Sequence, residues 1–400
     1  MYCTQIKTKS GKKRWECIAD APPNPVTGKR NQIKRRGKTQ KEAKQKVRDE
    51  IAKQTETRVD PKQVKGVTFD QLAAKWLEMY RVTKVKGNTI DIRMGQIKRL
   101  NEKMAKIPID KLTHLFFQSV INDVFSDGTA KNTLLGIKAC ANLIFKFAVK
   151  YNYMTVNPAK DIVIPEKPKT IEDLQKNSIE EKYWERKELD TFLDGVLKYG
   201  LELDKERFYT LAFSGMRVGE LNALQKQDLD FDRNQIRIYK TISGHNENMR
   251  TYDMGTTKNS TARTIDMEQP IMDMLRELVR KNDEHKMKYR TLIDDFHDAD
   301  FVFQHKNGYP YFRGTVNDRI KRILRLIGSD KHATSHIFRH THISMLTEAG
   351  VDLPTIMQKV GHSDPKTTMG IYTHVTNKMK ENASEKIRGN FDEMLQKISL

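Results

Sequence analysis

Residues 336–372 gather groups suited to acting on a phosphate: a guanidinium at Arg339, imidazoles at His336, His340 and His362, and a phenol at Tyr372. Arginine matches an anionic phosphate because its planar fork donates two hydrogen bonds to two oxygens. A tyrosine beside such a clamp can act as a nucleophile on phosphorus. That chemistry needs elements to aim it. Thr334 and Ser335 are N-cap types ahead of a helix through Ile337, Phe338, Met345 and Leu346, with Gly350 at its C′ position. On it His336, Arg339 and His340 stand at i, i+3 and i+4 and share a face. A second short helix is expected from Asp352-Leu353-Pro354 to Gly361, leaving His362 just past a helix end. A third opens at Asp364-Pro365 and carries Tyr372.

The stretch His336-Ile-Phe-Arg339-His340, Gly361-His362 and Tyr372 resembles the catalytic box of the tyrosine recombinases, the phage integrase family. Two further pieces fit the same pattern in order. Arg217 lies in Ser214-Gly215-Met216-Arg217-Val218-Gly219-Glu220-Leu221, and Lys258 in Thr256-Thr257-Lys258-Asn259-Ser260. Each fragment alone is weak, and the ordered set is specific. The catalytic resemblance covers about residues 180–385. Arg217 and Arg339 are the candidates to clamp the two non-bridging oxygens and hold transition-state charge. The resemblance implies that Tyr372 attacks phosphorus, leaving a 3′-phosphotyrosyl link and a free 5′-hydroxyl. A free tyrosine has a pKa of about 10, so phenolate at pH 7 costs about 4 kcal/mol, which nearby cations and a base must offset. His336 is expected as that base, Lys258 as general acid for the 5′-oxygen, and His362 as a donor to the phosphate. Glu220 is expected to orient Arg217 or an imidazole, or else to be an ordinary surface acid. His340 is given a packing role.

Composition sets bounds. At 400 residues, two or three domains are expected. Lys and Arg number 72 against 52 Asp and Glu, a net charge of +20, which favours a polyanionic partner, nucleic acid ahead of an acidic membrane. Cys3, Cys17 and Cys140 are odd in number and lack metal spacing, so a reduced cytoplasmic compartment is expected. The N-terminus lacks a signal-peptide core. The most apolar window, Leu134 to Val149, is broken by Lys138 and Lys146, so no membrane span is expected. Gly37-Lys38-Thr39 mimics the end of a phosphate-binding loop, but position 32 is Gln, so no nucleotide cofactor is expected. No metal is expected either: a zincin-type pair His336/His340 would need Glu at 337, which is Ile.

The fold class expected is multidomain α+β. Residues 1–56 read as a small three-stranded sheet (Tyr2–Lys7, Arg14–Ala19, Arg30–Arg36) with one helix from Thr39, and they resemble an arm-type DNA-binding domain. Residues 1–55 carry 16 Lys and Arg against 5 Asp and Glu, a net +11. Residues 57–66 read as a linker. Residues 67–158 read as four helices resembling a core-binding domain: Thr68 with Gln71 as a capping box, Asn88 opening a helix that bears Ile92, Ile97 and Leu100, then Leu112–Phe125 and Thr133–Val149. Phe116, Phe117, Phe125, Phe145 and Phe147 are assigned to its core, and Trp15 to that of the arm unit. Residues 159–183 read as a second linker. Residues 184–385 form the catalytic domain, mainly helical with a small antiparallel sheet. Its strands are Gln235–Thr241, 249–256 and 262–267, with Lys258 on the turn between the last two. Asn317–Ile327 reads as a basic amphipathic helix suited to DNA. Residues 386–400 read as a separate C-terminal helix that docks in trans.

The resemblance implies a site-specific recombinase of a temperate phage or integrative conjugative element, of Gram-positive type. It would act as a homotetramer on double-stranded DNA at core and arm attachment sites and exchange strands through a Holliday junction. A directionality factor (excisionase) and a host DNA-bending protein are the helpers implied. The alternatives are a DNA-binding regulator without catalysis and a type IB topoisomerase-like relaxing enzyme.

Overall fold

Short β-forming runs at the N-terminus pair into an antiparallel sheet of order β1-β2-β3: β1 (Tyr2–Lys7), β2 (Lys13–Ala21) and β3 (Asn31–Gly37). Alternation buries Cys17, Ala19 and Ala21 of β2 with Ile33 of β3, under Ala43 and Val47 of α1 (Gln40–Thr57). Thr39 starts α1 by accepting the Glu42 N–H at 3.1 Å. A Cβ at Gly37 would stand 2.6 Å from the Ala43 nitrogen, so the helix can sit this close only over glycine. Trp15 and Ile51 pack against this core. On the opposite face Glu16 is paired with Lys34 (2.8 Å) and Arg36 (2.7 Å).

One expectation is corrected here. Cys3 faces Cys17 in the β1–β2 register, with Cα atoms 4.1 Å apart, and the two form a disulfide. Sequence spacing does not reveal strand register, and register is what brings the sulfurs together. Cys140 is a buried free thiol whose pKa burial pushes up to about 11.

These features belong to a computed structural model that describes residues 1–7, 13–21, 30–57, 64, 66–83, 85–168, 179–245, 248–257 and 261–395. The expected turns at 11–13 and 22–28 lie largely outside those residues. Contacts divide the chain into two compact units, Met1–Pro168 and Lys169–Leu400.

The first unit continues with α2 (Phe69–Arg81), α3 (Gly87–Met104), α4 (His114–Ser126) and α5 (Lys131–Lys150). Thr68 caps α2, its backbone N–H donating to Gln71 Oε1 at 3.3 Å. Thr113 caps α4 by accepting the Phe116 N–H at 3.2 Å. Leu72, Leu100, Phe117, Ile137 and Phe145 are fully buried where the helices meet, and Phe116, Phe125 and Phe147 pack around them. On α3, Ile97 and Leu100 face this core, while Ile92 is 51% exposed. By length and composition α5 could cross a membrane, but Leu134, Ile137, Cys140, Ile144 and Phe145 are buried in this helical core. The chain after α5 stays attached. Ala159 and Ile162 are buried, Lys138 Nζ donates to the Ile162 carbonyl at 2.7 Å, and Gln118 exchanges two hydrogen bonds with the Val163 backbone.

In the second unit α6 (Arg186–Tyr199), α7 (Asp204–Ser214), α9 (Gln269–Tyr289), α10 (Arg313–Leu326) and α11 (His336–Glu348) surround an apolar core. The rings of Trp184, Phe192, Phe208 and Phe338 meet at its centre, at centroid distances of 4.6–5.6 Å. The short α8 (Val218–Asn222) follows α7. The strands depart from expectation. Gln235–Thr241 is two strands rather than one: β5 (Gln235–Ile238) and β6 (Lys240–His245). β7 (Asn248–Thr256) pairs with β6, while β8 (Arg263–Asp266) pairs with β5, whose other neighbour is β4 (Leu229–Asp230). The chain thus changes sheets at Tyr239, and β7 and β8, between which Lys258 was expected on a turn, belong to different sheets. Helix α10 uses its apolar stripe, Val316, Ile320, Ile323 and Leu324, against the core. Last come α12 (Leu353–Val360) and α13 (Pro365–Leu395). Helix α13 is continuous to Leu395, so residues 386–395 extend the helix that carries Tyr372 rather than forming a separate one. Residues 396–400 lie outside the described part.

Candidate active site

The turn from α7 to α8 is built for close approach. Gly215 ends α7 with φ +60°, and a Cβ there would lie 2.6 Å from the His342 ring. His342 Nδ1–H in turn donates to the Ala212 carbonyl at 3.0 Å. The chain then enters α8 with Arg217 as its N-cap, in extended conformation. Glu220, at N3, accepts the Arg217 backbone N–H at Oε2 (3.0 Å) and Arg217 Nη1 at Oε1 (2.8 Å). Arg217 Nη2 is left to donate to the Gly361 carbonyl at 3.2 Å. Glu220 is 1% exposed, so it is a buried acid that holds Arg217 and not a surface residue.

Helix α11 brings in Arg339. Its side chain is buried; Nη1 donates to the Gly215 carbonyl at 2.9 Å and Nε to His362 Nε2 at 3.0 Å, while Nη2 has no partner among the described residues. Burial, then the nearby Arg217 charge, push its pKa down to about 9. The expected Thr334/Ser335 cap is not made by a side chain: Ser335 is itself helical and its N–H is taken by Asn317 Oδ1. Gly350 does end the helix in the left-handed region, φ +79°. His336, Arg339 and His340 share a face at different depths, exposed, buried and half-buried. Burial, then His336, lower the His340 pKa to about 4.

Helix α12 is capped by Asp352, which accepts the Thr355 N–H at 3.2 Å, and it stops at Gly361, φ +70°. The next residue, His362, turns inward. Its Nε2 receives the Arg339 N–H, so the ring is neutral and Nδ1 carries the proton, donating to the buried Thr368 Oγ1 at 2.6 Å. Burial, then Arg339 and Arg217, drive its pKa down to about 3. In this arrangement His362 meets Arg339 with a lone pair; donating to a phosphate requires it to gain a proton or exchange that contact. Tyr372, half-buried on the second turn of α13, packs with Ile371 and Val375 against Ile343 of α11 and Ile356 and Val360 of α12. The same apolar cluster therefore supports the helices of Arg339 and Tyr372.

Lys258 lies outside the described residues. Its flanks are drawn together by Thr257, whose hydroxyl donates to the Thr261 carbonyl at 2.9 Å. One residue was missed by the sequence reading. Arg263, at the start of β8, donates to both Glu220 oxygens (2.7 and 3.3 Å) and to the Lys359 carbonyl (3.0 Å). The signal was present: period-two alternation puts Arg263 on the same side as the buried Ile265. Burial alone would raise the Glu220 pKa, but the Arg263 hydrogen bond and the two guanidinium charges hold it below the ordinary carboxylate value. A cavity of about 670 Å³ opens beside Arg263, Gly361 and His362.

Residues 186–379 match the phage integrase family model, residues 5–54 an arm DNA-binding domain, and residues 68–125 a phage integrase N-terminal SAM-like domain. A probable integrase of prophage ps2 from Lactococcus lactis is 31% identical over 343 residues, covering 83% of this chain and 85% of that protein. The integrase of Staphylococcus phage L54a is 30% identical over 339 residues, covering 81% and 94%. Among solved structures, the Tn1549 transposon integrase in complex with a circular intermediate DNA superposes with a TM-score of 0.60 at 20% identity, covering 76% of this chain and 95% of that one. A lambda integrase dimer bound to a core site gives 0.57 at 12% identity, with the same coverage. These structures share the fold, and the sequence relatives establish the membership: the chain belongs to the phage integrase family and is a tyrosine recombinase.

Proposed function

We propose that this recombinase integrates and excises a mobile element by cutting and rejoining double-stranded DNA at attachment sites. The observation that carries the reading is the pair Arg217 and Arg339: two guanidinium groups close enough to repel, one of them buried with an N–H donor that no described residue takes up. A phosphodiester relieves that repulsion and takes up the donor. Arg217 and Arg339 bind its two non-bridging oxygens. Tyr372 Oη attacks phosphorus, His336 takes the phenol proton, and Lys258 gives a proton to the departing 5′-oxygen. His362 aligns the phosphate, Glu220 holds Arg217, and His340 packs α11. The product is a 3′-phosphotyrosyl link and a free 5′-hydroxyl. A 5′-hydroxyl from a second duplex reverses the step, so the bond energy is kept and no nucleotide is consumed. Paired exchanges pass through a Holliday junction within a homotetramer. The arm unit binds its own sites, and an excisionase and a host bending protein set direction. The setting is the cytoplasm of a bacterial host. The DNA complexes of the related integrases support the choice of partner.

The test is covalent trapping on a nicked core-site duplex that loses its 5′-hydroxyl strand after cleavage. Wild-type protein forms an adduct whose peptide map ends at Tyr372. The Tyr372→Phe variant binds the same duplex and forms none. An adduct with the Phe variant overturns the assignment.

A further inference from the structure

Arg263 closes a circuit of hydrogen bonds around the clamp. Its side chain is 10% exposed and that of Glu220 1%. Glu220 accepts four N–H groups, two from Arg217 and two from Arg263, so both oxygens are saturated and shared between the two arginines. Arg263 Nε then reaches across to the Lys359 carbonyl at the end of α12, while Arg217 Nη2 reaches the Gly361 carbonyl two residues on. The guanidinium of Arg263 lies so close under Gly361 that a Cβ there would stand 3.0 Å from Nη1 and 3.2 Å from Cζ. The turn that delivers His362 is therefore held between two arginines bridged by one carboxylate. A single arginine would neutralise Glu220. The second leaves the buried group with a net positive charge next to Arg339, which suits an incoming anion.

We propose that Arg263 is a positioning residue for strand cleavage: it fixes the fork of Arg217 through Glu220 and the turn bearing His362 through the Lys359 carbonyl. The inference rests on the reading of Arg217 and His362 as phosphate-binding groups. Geometry is the point, because the three donors of Arg263 lie in one plane and face two partners, and lysine keeps the charge but not the fork.

The experiment uses the full chain with Arg263→Lys and Arg263→Gln. Three quantities are read: the single-turnover rate of adduct formation on the nicked duplex, the affinity for that duplex, and the His362 titration by NMR of isotope-labelled histidine. Wild-type His362 stays neutral well below pH 6, through burial first and then the charges of Arg339, Arg217, His340 and Arg263 around it. Both variants are expected to keep DNA affinity and to form the adduct about 100-fold more slowly, the cost of a misplaced reacting group. The His362 titration should move upward in both. In the Lys variant that movement reports the loosened turn, since the charge is retained. A wild-type rate in the Lys variant, or an unmoved His362 titration in both, overturns the proposal. Absence of an adduct with wild-type protein would instead refute the cleavage reading, and the His362 titration would still decide whether Arg263 holds the turn.

Discussion

Arg339 and Arg217 are an unfavourable pair in isolation. Burial and mutual repulsion lower the Arg339 pKa, yet at about 9 it remains protonated at neutral pH. In the proposed mechanism the phosphate offsets this local cost, and the pair would favour a phosphate whose charge grows in the transition state. Arg339→Lys retains a charge but gives up contacts to Gly215 and His362 that one ammonium cannot make from the same position. Adduct formation on a nicked core-site duplex should fall about 100-fold or more, the usual cost of one oxyanion donor, while DNA affinity stays close to wild type. A gel time course with a filter-binding control checks this, and near-normal cleavage would remove Arg339 from the clamp. Arg217, Arg339, His362 and Tyr372 could be picked out beforehand because each sits in a short motif. Arg263 sits in no such motif: alternation marks it as inward-facing, but what it meets there depends on which strand pairs with which. Glu220 was left between two roles for a similar reason: only the fold shows that both its oxygens are buried against arginines.

Helix α11 carries its chemistry at a cost in acid tolerance. His340 and His342, on this helix, have pKa values near 4, and His362, packed against Arg339, near 3, in each case chiefly through burial. The ordinary value is 6.5, so the unfolded chain binds these protons first as pH falls. The stability these neutral rings contribute is complete above pH 6.5 and is lost progressively as pH falls from about 6.5 to about 4 for His340 and His342, and to about 3 for His362. Each such group contributes up to about 1.4 kcal/mol per pH unit across that window. Urea unfolding followed by circular dichroism should show the midpoint dropping from pH 7 to 5 in wild-type protein, with a shallower drop in His342→Gln. A midpoint flat over that range would mean that these imidazoles are not buried as described. The helix itself was readable from its period and from Gly350, and so were α2 and α12 with their Thr68 and Asp352 caps. The sheets were less so. Nothing local in Gln235–Thr241 marks the change of sheet at Tyr239, which is set by long-range pairing of β5 with β8. The Cys3–Cys17 bond was hidden in the same way by a register that no spacing encodes.

Charge is unevenly divided along the chain. Residues 1–55 hold 16 Lys and Arg against 5 Asp and Glu, a net +11 of the total +20. This segment has its own sheet, its own helix and its own small core of Cys17, Ile33, Ala43 and Val47. The clamp arginines and Tyr372 all lie beyond residue 216. Such a division suits two DNA contacts made by one chain, each raising the effective concentration of the other. Each phosphate neutralised releases counterions and adds about one unit to the salt dependence of affinity. Deleting residues 1–60 should therefore weaken binding to a full attachment site and flatten its dependence on salt. Covalent cleavage of a short core-site duplex should persist in the truncated protein, because every group proposed to act there remains. Recombination between two full sites should fall much further than cleavage does. Binding isotherms at several salt concentrations, set beside cleavage and recombination assays, separate these effects. Normal recombination by the truncated protein would reduce the N-terminal unit to a basic appendage. Loss of core cleavage from a truncated protein that remains folded would assign the unit to the catalytic grip on DNA instead.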